Sequence, residues 1–284
     1  MQLNDVGEKL SRIIGNTIDA EAHDWLEEKI RKIIREGSAR DMYMTYSLIP
    51  SKVYLQDIQS MGYGNDLEDY LRVQKANIQQ ISRIHLLISV LNADMEFFTP
   101  KVANIIQVAD TGELETFLKF LILLPNPEAY KTQAVEALRT NVSTVFNAIS
   151  LNNPYPALFF DEQQWNQMYL KTAFMQGDLS AILDIDKRAN KELARIISDY
   201  AHERWAASRD IDPYFWRPVS GFLNNGLLTD MERLLESANC MENRAGALCC
   251  YHSDKPEAKK LLAGYPGLQE QITNKILSWK TLKD

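Results

Sequence analysis

The sequence predicts an all-α protein, built as an irregular HEAT/armadillo-like α-solenoid of antiparallel helix pairs. Three observations predict it. Apolar residues recur at three- and four-residue spacings in almost every segment, and the period-two alternation of a half-buried strand is missing. Short turn-forming clusters separate short amphipathic stretches throughout the last third. Within that third, DMERLLESANCMENRAGALCCYHSDKPEAKKLLAG reads as paired helices with small residues where they cross. No strict period runs through it, hence an irregular solenoid. With 284 residues, 45% hydrophobic and 24% charged, the chain suits one globular domain over 1–284.

Taken in order, Asp19 to Ile34 is an amphipathic helix with Trp25, Leu26, Ile30, Ile33 and Ile34 on one side, stopped by Gly37. Asp41 to Ile49 follows, ended by Pro50. Gly62 and Gly64 mark a loop, and Asp66 then caps a helix reaching about Leu91. Its stripe is Ile78, Ile81, Ile84, Ile88 and Leu91; His85, one residue off the stripe, reads as structural or surface. Leu114 to Leu123 is apolar nearly all round and should be buried on most sides, until Pro125-Asn126-Pro127 breaks it.

Glu128 to Ser150 reads as one helix with Val135, Leu138, Val142, Val145 and Ile149 along a face. Asn153-Pro154-Tyr155-Pro156 breaks the chain again. Asp161 caps a helix in which Trp165, Tyr169 and Phe174 read as core, and Asn190 caps another over Lys191 to Ala207. Short helices are expected over 212–222, 229–238, 244–251, 256–263 and 268–280.

The totals exclude several functions. A net charge of -7 and a pI near 5.3 disfavour a nucleic-acid footprint, which needs clustered Lys and Arg against phosphates. Cys240, Cys249 and Cys250 form no disulfide framework and read as small helix residues. The most apolar run, FLKFLILL, falls far short of the roughly 20 residues of a membrane span, and the N-terminus lacks an apolar signal core. A soluble, cytoplasmic protein without direct membrane insertion is expected. Phosphate loops, dinucleotide fingerprints, nucleophile elbows and paired Cys/His metal clusters are all missing, so no cofactor and no metal are expected.

Polar chemistry concentrates between Leu124 and Ala207, interleaved with large aromatics. Asp199, His202 and Glu203 fall at i, i+3 and i+4, one face of a helix. That arrangement suits an acid–base pair, a ligand contact, or ion pairs with Arg188, Arg195 or Arg204. Arg139, Asn141, Asn152, Asn153 and Tyr155 flank proline-locked turns, where amides tie loops to helix ends or line a polar pocket. Arg139 would suit a carboxylate. Asp161, Asn166, Arg188 and Asn190 complete the candidate binding surface, and a cleft-facing placement of Asn166 with Lys171 is the alternative to core on that helix.

The motifs LPNPEAY, EALRTNVSTVFNAISLNNPYPALFFDEQQWNQMYLKTAF and RANKELARIISDYAHERWAA resemble the EboA family, the first component of the bacterial ebo gene cluster. The resemblance is close over Leu114 to Ala207 and looser through RAGALCCYHSDKPEAKKLLAGYP. It divides the single domain into divergent N-terminal helices (1–110), a family-signature core (111–210) and short HEAT-like pairs (211–284). It implies traffic of a secondary metabolite or its precursor towards the periplasm, with other ebo-cluster proteins as partners. It carries no catalytic residues. The expected role is a non-enzymatic binding or adaptor protein. The alternatives are a small-molecule enzyme using His202 with Asp199 or Glu203, and a pure protein–protein scaffold.

Overall fold

A computed structural model of the chain describes residues 5–58 and 66–283. Among them the chain is helical throughout and carries no strand, only an isolated antiparallel bridge between Asp57 and Asn77. The loop expected around Gly62 and Gly64 lies outside the described residues. The chain forms two compact units, Met1–Phe159 and Phe160–Asp284.

The first unit opens with α1 (Val6–Thr17), α2 (Ala20–Glu36) and α3 (Ala39–Lys52). Asp19 caps α2 by accepting the Ala22 N–H at 2.8 Å, and Gly37 ends it in the left-handed region at φ 60°. Leu26, Ile30 and Ile33 of its stripe are buried, while Ile34 is exposed. Pro50 does not end α3 but sits in its last turn. A proline there leaves the carbonyl four residues back without its helical partner. That carbonyl, of Tyr46, takes the Arg83 Nε–H at 3.0 Å instead.

The single helix expected from Asp66 to Leu91 is two: α4 (Asp66–Val73) and α5 (Ile78–Ala93). Lys75 turns left-handed between them, and Asn77 with Gln80 forms a capping box that restarts the helix. Helix α5 is buried on nearly every side, with Gln80, Ser82, Arg83 and His85 buried among its aliphatic residues. It is the hub of the unit, contacting α1, α2, α3, α6 (Met95–Ala103) and α8 (Thr111–Phe120). The short α7 (Ile105–Val108) lies between the last two.

Within 114–123, Thr116, Phe117, Leu118 and residues 120–123 are buried as the apolarity of the run requires, with Leu114, Glu115 and Lys119 half-buried, and the last three residues form a 3-10 turn. The helix expected over Glu128 to Ser150 is broken into a 3-10 turn, α9 (Lys131–Ala137) and α10 (Ser143–Ser150). Thr140-Asn141-Val142 are weak helix formers, and the Thr140 hydroxyl accepts the Val142 N–H at 3.1 Å. Val142 is consequently exposed rather than on a buried face. Helix α11 (Tyr155–Phe159) closes the unit.

The second unit holds α12 (Glu162–Phe174), α13 (Ile185–Arg188), α14 (Lys191–Ala206) and a ten-residue 3-10 helix, Pro213–Phe222. It ends with α15 (Asn225–Leu235), α16 (Cys240–His252), α17 (Pro256–Leu262) and α18 (Pro266–Thr273). The last helix is shorter than expected, and α15 starts at Asn225, ahead of the expected 229, with Asn224 as its cap. Phe174 is 75% exposed, against its expected place in the core with Trp165 and Tyr169. Helix α16 is the hub here, contacting the 3-10 helix, α15, α17 and α18. Its Gly246 lets α15 approach: a Cβ there would stand 3.0 Å from Leu234 Cβ. Cys249 and Cys250 fill the same helix as buried thiols, as expected of small helix residues.

Candidate functional site

The twelve residues singled out by the sequence divide between the two units, five in the first and seven in the second. In the first, Arg139 follows α9 on the surface, and its guanidinium pairs with Glu136 at 3.1 Å, one helical turn back. Asn141 is exposed in the break before α10. Asn152 adopts a left-handed backbone at φ 53°, a conformation its short amide tolerates, and its carbonyl receives the Gln74 side chain at 2.8 Å.

Asn153 is buried, and its amide makes three bonds to backbone. Nδ2 donates to the carbonyls of Leu118 (3.0 Å) and Ala148 (2.8 Å), and Oδ1 accepts the Tyr155 N–H at 3.0 Å. The side chain thereby joins α8, α10 and the start of α11. The Tyr155 hydroxyl donates to the Pro127 carbonyl at 2.8 Å, and burial raises its pKa well above the ordinary tyrosine value. Asn152, Asn153 and Tyr155 thus form one knot, while Arg139 turns to Glu136.

In the second unit Asp161 and Gln164 form a capping box at the start of α12. Asn166 and Asn190 exchange amide hydrogen bonds at 3.2 and 2.8 Å, and Asn190 also caps α14 through the Leu193 N–H. Arg188 donates to the carbonyls of Phe160 and Asp161 and lies 5.0 Å over the Trp165 ring. These four candidates are brought together, around the ends of α12, α13 and α14. Lys171 has its pKa lowered by partial desolvation of its ammonium group.

Asp199, His202 and Glu203 share a helix face without forming a set. Asp199 pairs with Arg195 at 2.5 Å, and Glu203 is exposed. His202 turns to Asp230 of α15, Nε2 to Oδ1 at 2.6 Å. Asp230 is buried, and its other oxygen accepts the Ser198 hydroxyl at 2.6 Å. Serine, aspartate and histidine therefore meet with the carboxylate in the middle. A nucleophilic triad needs the imidazole there, between the hydroxyl and the acid. The His202 side chain is 59% exposed and lies beside Trp205, whose ring carries the Arg233 guanidinium at 4.0 Å. Among the described residues no three His, Cys, Asp or Glu side chains are grouped to hold a metal ion.

The sequence reading missed a second polar centre, in the first unit. Arg83 and Glu113 are both buried, with Nη2 3.6 Å from Oε1. The Tyr46 hydroxyl donates to the Glu113 carbonyl at 2.9 Å, and the Arg83 guanidinium lies 5.1 Å from the Tyr46 ring centre. Glu113 also completes a capping box with Asp110, accepting the Asp110 N–H on Oε2 at 3.0 Å. The available signal was a charged arginine inside a helix rich in aliphatic residues.

Among known families, the one described as metabolite traffic protein EboA matches residues 6–220 of the chain. No curated protein and no solved structure matches it. Among the described residues no helix is long and apolar enough to cross a membrane.

Proposed function

The chain belongs to the EboA family of metabolite traffic proteins, and from that premise we propose that it works by binding rather than by chemistry. It takes up a secondary metabolite or its precursor in the cytoplasm and hands it on towards the periplasm, with other proteins of the ebo cluster as partners. The observation that carries the reading is the placement of His202. Its Nε2 is committed to the buried Asp230, and its neighbour Asp199 is paired with Arg195. An acid–base pair needs both groups within reach of one substrate proton.

The test uses the purified full chain and a small-molecule extract of cells that express the cluster. Native mass spectrometry is expected to show a retained compound whose mass is the same before and after incubation. Conversion of that compound, abolished in His202→Gln, would establish the enzyme instead. Capture of a cluster protein with no small molecule bound at any extract concentration would leave a scaffold.

The same proposal includes an irregular HEAT/armadillo-like stacking of antiparallel helix pairs. The successive contacts of α15 with α16, and of α16 with α17 and α18, support it in the second unit.

A further inference from the structure

We propose that the cleft between α3 and the α7–α8 segment binds a small, flat, apolar molecule carrying one neutral hydrogen-bond donor. This site rests on the binding role proposed above and names the chemistry it would recognise. The cleft has a volume of about 350 Å³. Ligand pockets run from about 300 to 1,000 Å³, so this one suits a small molecule and not a peptide.

Its rim is apolar. Met44 and Leu48 stand one turn apart on α3, 49% and 43% exposed, and Val108 across from them is 58% exposed. Large apolar side chains scattered singly on a surface need no explanation, but here three of them border one concavity. Tyr43 and Tyr46 also line it. Their hydroxyls already donate to the carbonyls of Lys101 (2.7 Å) and Glu113 (2.9 Å), so neither offers a donor, and the half-buried Tyr43 is the one with ring surface to present.

Among the described residues, Glu113 is the one charged side chain lining the cleft. Its Oε2 is taken by the Asp110 N–H. Its Oε1 has, among those residues, only the Arg83 guanidinium at 3.6 Å, beyond hydrogen-bond distance, and can accept a donor. A buried ion pair is weak evidence for stability, since desolvating both groups offsets their attraction. Arg83 neutralises the carboxylate, so a cationic ligand gains little and an anionic one meets a closed acceptor. An alcohol, a phenol or an amide N–H fits. The acceptor is also held in place: the capping box fixes Glu113, and Arg83 is fixed by the Tyr46 carbonyl that Pro50 leaves open.

Three probes of one shape test this by calorimetry: 2-naphthol, 2-methoxynaphthalene and 2-naphthoate. Wild-type chain is expected to bind one 2-naphthol, with the methyl ether and the carboxylate at least about tenfold weaker. Met44→Trp and Leu48→Trp fill the cleft from exposed positions, so folding is kept, and each is expected to weaken 2-naphthol at least about tenfold. Equal affinity for all three probes overturns the donor chemistry. Unchanged 2-naphthol binding in both variants overturns the location. If the extract compound binds wild type and both variants equally, the cleft is wrong while the binding role stands. If neither that compound nor any probe binds wild type, both are wrong.

Discussion

Asn153→Ala removes the knot that joins α8, α10 and α11, and the cost can be worked from its contacts. Three hydrogen bonds disappear: two to carbonyls, of Leu118 and Ala148, and one from the Tyr155 N–H. Asn153 is only 2% exposed, so water does not replace them without opening the structure. At about 1 kcal/mol for each neutral hydrogen bond, the loss is about 3 kcal/mol. That is a large share of the roughly 5–15 kcal/mol that holds a domain folded. Urea unfolding gives the global value. Hydrogen exchange read by mass spectrometry gives the place: protection should fall over 115–124 and 146–159 and stay unchanged over 191–206. Asn141→Ala, at an exposed position between α9 and α10, is the control and should shift stability by no more than about 0.5 kcal/mol. A loss below about 0.5 kcal/mol in Asn153→Ala, or one matched by Asn141→Ala, would refute the reasoning.

Glu113→Gln keeps the shape of the side chain but leaves the Arg83 charge buried alone, and thermal unfolding should register about 3–5 kcal/mol. Glu136→Gln, which breaks the exposed pair with Arg139, should register less than about 1 kcal/mol; equal effects would argue that burial is irrelevant here. Glu27 has its pKa held below the ordinary 4.5, first by the hydrogen bond from His85. A depressed folded pKa stabilises above the unfolded value and loses that contribution as pH falls through the folded one. The stability gap between wild type and Glu27→Gln should therefore be open near neutral pH and close below about 4.5; a gap that widens in acid would contradict the assignment. Cys240 is exposed, Cys249 and Cys250 are buried, and burial pushes the Cys250 thiol up to about 12. Iodoacetamide at neutral pH should label Cys240 alone in the folded chain and all three on unfolding, and peptide mapping would expose any early reaction at the other two.

What the sequence made legible is what depends on near neighbours. Asp161 and Asn190 read as helix caps and are caps, because a cap is a contact over two or three residues. Gly37 stops α2 for an equally local reason. The misreadings trace to distant partners. Pro50 is tolerated inside α3 because Arg83, thirty-seven residues beyond Tyr46, serves the Tyr46 carbonyl that the proline orphans. His202 ignores the acids on its own helix because Asp230 is buried opposite it on another. Helix α5 was read as amphipathic from one stripe. Its other faces are covered too, by helices that no local window could place.

The candidate site divides along the same line. Amides beside proline turns were expected either to tie loops or to line a pocket, and Asn153, Asn166 and Asn190 each bond to neighbouring structure. The reason lies in the helix lengths. From Lys131 to Arg188 the α-helices run to seven, eight, five, thirteen and four residues. Every helix end leaves up to four backbone groups without partners, and short helices multiply the ends. A stretch so divided needs many Asn, Asp and Arg side chains near its turns, whatever the protein binds. Polar density there measures the number of ends to be closed. A polar atom left over once such duties are met is the more telling sign of ligand chemistry. Arg83 serves the Tyr46 carbonyl that Pro50 orphans, yet stands 3.6 Å from Glu113 Oε1, beyond hydrogen-bond distance, and so leaves that oxygen with room to accept a donor.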